Sequence, residues 1–398
     1  MIIQPFQAAR PDAHDAPSVA AVPYDVVGTA EARSLAAGNP KSFLHVSRPE
    51  IDLPPGTDPS SPEAYAQARK ALDSMLGEGV LKTDPEKRFY AYRQTMGSHS
   101  QTGVVALFDT KEYISGAIKR HEKTRQDKED DRTAHIKALG AQTGPAFLAY
   151  RDVKAIDELV AEAAVETPLC DFTAPDGVRH TVWEIARGGT CRADSLQELF
   201  AAVPEMYIAD GHHRTAAAAR YAAERGFEGE SRYFMAVAFP ASQLKILPYN
   251  RLVRDVCGMS AYEFLSRVSE NFRIGSKGER NARMYFNGRW TDISWDAPAG
   301  SNPVSALDVS YLQENLLAPV LGIKDPRTDR RISFMGGIKG EKALASKVDS
   351  GAFAAAFSME PVKVDEMMSI ADAGGIMPPK STWFEPKLRS GLFVHLLR

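Results

Sequence analysis

Cysteine is scarce: Cys170, Cys191 and Cys257 are the three in 398 residues, far apart and with no Cys-x-x-Cys pair. This suggests neither a disulfide framework nor a cysteine-based zinc site, and the expectation is three small buried hydrophobes. No apolar run approaches the ~18 residues of a membrane span, and Met1-Ile2-Ile3-Gln4-Pro5 lacks the basic region and apolar stretch of a secretory leader. A cytoplasmic protein without a membrane partner is expected. Positive charge is not in excess, with 48 Lys and Arg against 51 Asp and Glu and a formal net charge of −3, so the overall field does not favour nucleic acid. Gly-x-x-x-x-Gly-Lys-Ser/Thr, Gly-x-Gly-x-x-Gly, His-Glu-x-x-His and Gly-x-Ser-x-Gly are all missing, so the common NTPase, dinucleotide, zinc-protease and hydrolase patterns lose support.

What is present is ordinary globular material, 44% hydrophobic and 25% charged, in a chain long enough for two or three cores. Its most informative stretch is Met206-Tyr207-Ile208-Ala209-Asp210-Gly211-His212-His213-Arg214-Thr215, followed by an alanine-rich segment. The apolar run 203–209 predicts a buried strand, Asp210-Gly211 a turn, and the alanines a helix. The first turn of a helix leaves N–H groups unpaired at the positive end of its macrodipole, and Gly211 lets a ligand approach the backbone. Two histidines and an arginine there add donors suited to phosphate, so a nucleotide phosphate is the predicted ligand. Asp and Gly are also ordinary cap and turn residues, but two adjacent histidines and an arginine, among nine histidines in all, are harder to explain structurally. Zinc is disfavoured, because adjacent helical residues point about 100° apart.

Elsewhere strands and helices alternate, which predicts a mixed α/β fold. Residues 19–27 read as a strand entering a turn, 42–46 as the next strand, and 62–77 as a helix capped by Ser61 with Pro62 at its first position. Runs 89–92 and 103–108 read as strands joined by a polar loop, 144–150 as a strand, 153–165 as a helix, and 179–185 as an alternating strand. Ser195 and Glu198 form a capping-box pattern, as do Ser260 and Glu263. Residues 232–239 suit a strand covered on both faces, Asn287-Gly288 between aromatic strands a type I′ hairpin, and 309–317 and 341–347 helices.

Two further segments stand out. The run 119–137 is almost wholly polar, which ordinarily means a solvated helix face laced by i, i+4 pairs. On one helix His121, Arg125, Lys128 and Arg132 would share a stripe, while Glu122, Glu129 and Asp131 offer carboxylates to Mg²⁺ or a substrate hydroxyl. The loop containing Pro378, Pro379, Lys380, Ser381, Thr382 and Lys387 combines proline stiffness with donors for carboxylate or phosphate, and equally suits a tight connection before the final strand at 391–397.

Taken in order, Pro23-Tyr24-Asp25-Val26, Asn39-Pro40-x-Ser42-Phe43-Leu44-His45-Val46, His121-Glu122-x-Thr124-Arg125, Asp210-Gly211-His212-His213-Arg214 and Met377-Pro378-Pro379-Lys380-Ser381-Thr382-x-Phe384-x-Pro386-Lys387 resemble the signatures of the DUF1015 family. The resemblance runs over almost the whole chain. It implies relatedness to ATP-dependent free L-serine kinases, and a ParB/sulfiredoxin-like nucleotide-binding core at 111–255 between α/β parts at 1–110 and 256–398. The implied reaction turns ATP and L-serine into ADP and O-phosphoserine with Mg²⁺. Gly211, His212, His213, Arg214, Thr215 and Arg125 would then hold the nucleotide, and Glu122 beside His121 would accept the serine proton. Asp210 and Asp131 would meet the metal, with Asp210 close to the chemistry. Lys380, Ser381 and Thr382 would hold the substrate, with Arg125 as another cation for its carboxylate. The competing expectation is a ParB-like regulatory module that binds nucleotide without kinase turnover. Self-association is left open.

Overall fold

The computed structural model describes residues 1–185, 193–297 and 302–397, and Cys191 lies outside them. The chain forms two compact units, one from Met1–Arg120, Thr124–Leu244 and Pro386–Arg398, the other from His121–Lys123 and Lys245–Glu385. The fold is mixed α/β, with helices interleaved among several sheets.

The first unit is built on a nine-stranded mixed sheet. Its middle strand Tyr233–Pro240 runs parallel to Ala146–Tyr150 on one side and antiparallel to His99–Asp109 on the other. Such a strand meets no water on either face, which is why it reads as an unbroken apolar run. A four-stranded sheet joins Lys82–Thr83, Ala8–Arg10, Val394–Leu396 and Ala141–Gln142. The helix Pro62–Gly77 begins as its sequence predicts, Ser61 Oγ accepting the Ala64 N–H at 3.2 Å, and buries Ala68, Leu72 and Met75. The alanine-rich helix is His212–Glu224. Its Ala217 and Ala218 enter the main core with Ile136, which sits on the polar helix Gln126–Leu139. That helix is tied to it by Lys137–Glu224 and Arg220–Asp130 ion pairs.

Several expectations change. Residues 42–46 are not a strand: they lead into the short helix Leu44–Ser47, closed by Ser47 N–H to Phe43 O at 3.0 Å, because local bonds after the Asn39-Pro40 turn win over pairing. Residues 16–19 are a helical turn, and of the predicted first strand only the Ala21 to Ser390 bridge remains. The polar stretch 97–102 is mostly strand, since Phe89–Met96 and His99–Asp109 pair up to Met96 and His99 around a tight turn. Ser195 lies inside the helix Ala193–Ala201 rather than capping it. His121 and Arg125 precede the helix that starts at Gln126, so the four-residue basic stripe does not form. Cys170 is buried as expected, whereas Cys257 is exposed, its Sγ donating to Leu321 O at 3.2 Å.

The second unit centres on a six-stranded sheet, with Tyr249–Val253 antiparallel to both Ile332–Gly336 and Ala355–Met359. Its hairpin is the one Asn287-Gly288 predicts, both residues at positive φ, 50° and 76°, between Arg280–Phe286 and Arg289–Trp295. The capping box at Ser260 and Glu263 is complete and starts the helix Ala261–Ser269.

Candidate functional site

The strand Met206–Asp210 delivers the site. Its register against Ala146–Tyr150 shifts between Ile208 and Asp210, a bulge just before the strand ends, and a bulge re-aims the side chain that follows it. Gly211 comes next at φ 90°, ψ 28°, a conformation costly for any residue with a Cβ. Space also demands glycine, because an added Cβ would stand 3.0 Å from Arg214 Nε. As N-cap, Gly211 brings no side chain to the first N–H groups of the helix.

Asp210 is gripped by two cations, with Arg214 Nη2 and Lys387 Nζ each 3.5 Å from its Oδ2. Burial alone would raise this carboxyl, but Lys387, Arg214, His212 and the Gly211 N–H outweigh it and hold Asp210 far below the usual carboxylate range. One carboxylate between two cations leaves a single positive charge at the positive end of a 13-residue helix. That arrangement suits an oxyanion. Arg214 is fixed further by Nη1 to Pro145 O at 2.5 Å, and the Lys387 carbonyl accepts from Gln94 Nε2 at 2.8 Å.

The other residues singled out in this unit have definite places. His213 Nε2 accepts the Arg125 N–H at 3.1 Å, so the ring carries its proton on Nδ1. His212 is buried. Thr215 turns its hydroxyl inward to Gly211 O at 3.2 Å, and the exposed Arg125 guanidinium binds Asp127, with Nη2 to Oδ2 at 2.7 Å. Asp131 has both oxygens engaged, Oδ1 by the Tyr65 hydroxyl at 2.9 Å and Oδ2 by Arg132 at 2.8 Å.

His121, Glu122, Lys380, Ser381 and Thr382 belong to the second unit. There His121 Nε2 and Thr382 Oγ1 are 3.2 Å apart, and His121 O accepts the Met377 N–H at 2.8 Å, so two distant motifs meet. Ser381 Oγ donates to Pro378 O at 2.6 Å. Lys380 adopts a positive φ of 57°, uncommon for a residue with a side chain, and its Nζ lies 5.5 Å from the centre of the Tyr249 ring.

With this geometry in place, comparison with known proteins adds a family. The chain matches the model described as "Protein of unknown function (DUF1015)" over residues 3–310. It is a member of the DUF1015 family. No curated protein matches it in sequence. Among solved structures, the DUF1015 chain is similar to SbnI with C-terminal truncation from Staphylococcus aureus at 11% identity and TM-score 0.42, covering 73% of this chain and 87% of that one. It is also similar to a conserved hypothetical protein from Pyrococcus furiosus at 13% identity and TM-score 0.38, covering 73% and 95%. A free serine kinase in complex with AMP is similar at 12% identity and TM-score 0.36, covering 70% and 86%. Likeness at this level leaves function to be argued from the residues.

One such residue escaped the sequence reading. In this DUF1015 chain Glu50, four positions beyond the Asn39 to Val46 signature, has a side chain only 1% exposed, with Oε1 held by Arg48 Nε at 2.9 Å and Thr29 Oγ1 at 3.1 Å. Its Oε2 is buried without a hydrogen-bond partner. A buried carboxylate oxygen left unpaired is costly, and catalysis is one reason such a group persists. Nothing in its local sequence, Ser47-Arg48-Pro49-Glu50-Ile51-Asp52, marks it out.

Proposed function

We propose that this protein is an ATP-dependent small-molecule kinase that phosphorylates free L-serine to O-phospho-L-serine with Mg²⁺. The observation that carries the proposal is the Asp210, Arg214 and Lys387 cluster at the start of the helix opened by Gly211, a fixed cationic cradle of the kind a transferring phosphate needs. The five ordered motifs that resemble the serine-kinase-related family supply the acceptor. The ParB/sulfiredoxin-like character of the core around residues 206–224 is part of the same proposal.

Phosphoryl transfer asks the protein mainly to clamp phosphates, neutralise charge and orient a hydroxyl. Lys387, Arg214, His212, His213 and the first helical N–H groups act as the clamp. Mg²⁺ commonly binds through one or two carboxylates plus substrate phosphates; Asp210, the proposed contact, is already shared with Arg214 and Lys387, and Asp131 has both oxygens engaged, so the nucleotide phosphates would supply most of the ion's ligands. When bound with the nucleotide, the ion neutralises phosphate charge. Glu122, by resemblance, and Glu50, by its unpaired oxygen, are the candidates to take the hydroxyl proton. Lys380, Ser381 and Thr382 remain proposed substrate contacts.

Phosphorus NMR of the purified protein with ATP, Mg²⁺ and a panel of hydroxyl metabolites including L-serine tests this directly. The expected result is O-phosphoserine that His213→Ala abolishes. If ATP binds and no panel member is phosphorylated, the kinase proposal fails and a nucleotide-binding regulatory module takes its place.

A further inference from the structure

Behind Arg214 the first unit contains a cavity of about 40 Å³ walled by Tyr24, Ser47, Arg132, Gln142, Arg214 and Ser390. That is room for about three waters, or for a carboxylate and the carbon that bears it. Among the described residues that line it there is no acid, but there are two guanidinium groups. Arg132 is held over the Tyr24 ring, Cζ 4.0 Å from its centre, and is paired with Asp131 through Nε and Nη2, while Arg214 is held by Asp210 and Pro145 O, so each guanidinium keeps only part of its donor set for a ligand. The imidazole in the wall, His135, adds no charge: burial, with Arg132 beside it, pulls its pKa down to about 3.

Two polar atoms of the lining residues lack partners. Ser47 Oγ is buried with no hydrogen bond in a residue 5% exposed, and Arg214 Nε is likewise buried and unbonded. Arg214 Nε stands on the Gly211 side of the wall, and the unpaired, buried Ser47 hydroxyl on a lining free of acids marks a place where an anionic group completes the hydrogen bonding. Gly144 keeps the wall thin, since a Cβ there would stand 3.2 Å from Ser390 Oγ.

We propose that this cavity is the seat of the acceptor, which is a small amino acid whose carboxylate is read by Arg132 and Ser47. Arg214 would then touch both substrates, facing Asp210 on one side and the cavity on the other. The seat rests on the kinase reading only for the role of its occupant, not for the binding itself. A cavity of about 40 Å³ seats the carboxylate and α-carbon, and the expected selectivity is for short side chains.

The test is calorimetry on the full-length, nucleotide-free protein with L-serine, L-alanine, L-tryptophan and ethanolamine. L-serine and L-alanine bind; ethanolamine, which has no carboxylate, and L-tryptophan, which is too large, do not. Arg132→Gln weakens L-serine binding about tenfold or more, whereas ADP affinity stays within about twofold. Ser47→Ala removes only a hydroxyl without a protein partner, so it leaves the unfolding temperature unchanged and still weakens L-serine binding. Failure of both amino acids to bind overturns the proposal, as does equal binding of ethanolamine. Displacement of L-alanine by adenosine would make the cavity a nucleoside pocket instead. Acid binding that both variants weaken, without any phosphoryl transfer, keeps the seat and sinks the kinase reading. Transfer to L-serine that neither variant affects does the reverse.

Discussion

Replacing Lys387 with methionine removes one of the two cations on Asp210 while keeping most of the packed stem. At 3.5 Å and an effective dielectric of about 20, each cation attracts the carboxylate by about 5 kcal/mol before desolvation is counted. Desolvation takes back most of this, and Lys387 is 12% exposed and Asp210 27%, so the expected loss of stability is about 1–3 kcal/mol. The cluster falls from one net positive charge to none, and ADP affinity should drop about tenfold to a hundredfold. A carboxyl depressed in the folded state contributes stability above its unfolded pKa and loses it as pH falls. The variant should therefore show a shallower stability loss below pH about 4 than the parent. Urea unfolding at two pH values and calorimetry with ADP measure all three effects. An unchanged ADP affinity at an unchanged urea midpoint would refute the cationic cradle.

Three other outcomes are expected. Gly211→Ala must place a Cβ at φ 90° and 3.0 Å from Arg214 Nε, so it should cost about 1–3 kcal/mol in urea unfolding and weaken ADP binding, and a variant as stable as the parent would contradict the geometry. Glu50→Gln should reduce phosphoryl transfer about a hundredfold or more in the NMR assay and, by breaking the buried pair with Arg48, cost about 1–3 kcal/mol in urea unfolding, and retained turnover would leave Glu122 as the proton acceptor. In the second unit, burial, together with Glu366 and Glu360, raises the Asp308 carboxyl from 3.8 to about 6 against the pull of Arg280. Its proton is held to higher pH in the folded state, so its contribution is complete below the unfolded pKa and lost as pH rises through about 6. Asp308→Asn should then stabilise the protein by about 1–2 kcal/mol at pH 7 and by less near pH 4, as thermal unfolding at both values will show.

Much of the local architecture was legible because local chemistry decides it. Ser61 before Pro62, Ser260 with Glu263, and Asn287-Gly288 each specify a terminus or turn through their own side chains or backbone freedom, and each appears in the structure as read. The strand, turn and helix around Asp210 and Gly211 form for the same reason. What failed was settled at a distance or by competition. Residues 42–46 carry a strand's apolar content yet close a helical turn, and residues 99–102 of the polar run are strand because the partner strand Phe89–Met96 holds them. Lys387 was noticed as a donor in a stiff loop, but nothing in its surroundings names Asp210 as its partner. Glu50 went unnoticed because a buried, half-satisfied carboxylate looks like any other Glu in sequence.

The two cations of the cradle reach Asp210 by different routes. Arg214 stands four residues on, in the first turn of the helix that follows the strand, so the sharp Gly211 turn in the Asp-Gly-His-His-Arg spacing brings it back to Asp210. Lys387 has no such local tether and depends on the chain's final segment returning to the first unit. That return is pinned at several points. Ala21 and Ser390 exchange both backbone hydrogen bonds, at 3.0 and 2.9 Å, and Val394–Leu396 pairs with Ala8–Arg10 and Ala141–Gln142. Gly391 lies so close to Phe43 that a Cβ would stand 2.6 Å from its ring, which binds this segment to the Asn39 to Val46 signature. A lysine on a loose loop would lose rotamer and backbone freedom each time it met an anion. Here that ordering is completed in folding, so the ammonium is already in place when a phosphate arrives. The cradle is therefore half a local motif and half a tertiary one, and an intact strand, turn and helix without the pinned return would keep Arg214 on Asp210 and have no net positive charge to offer.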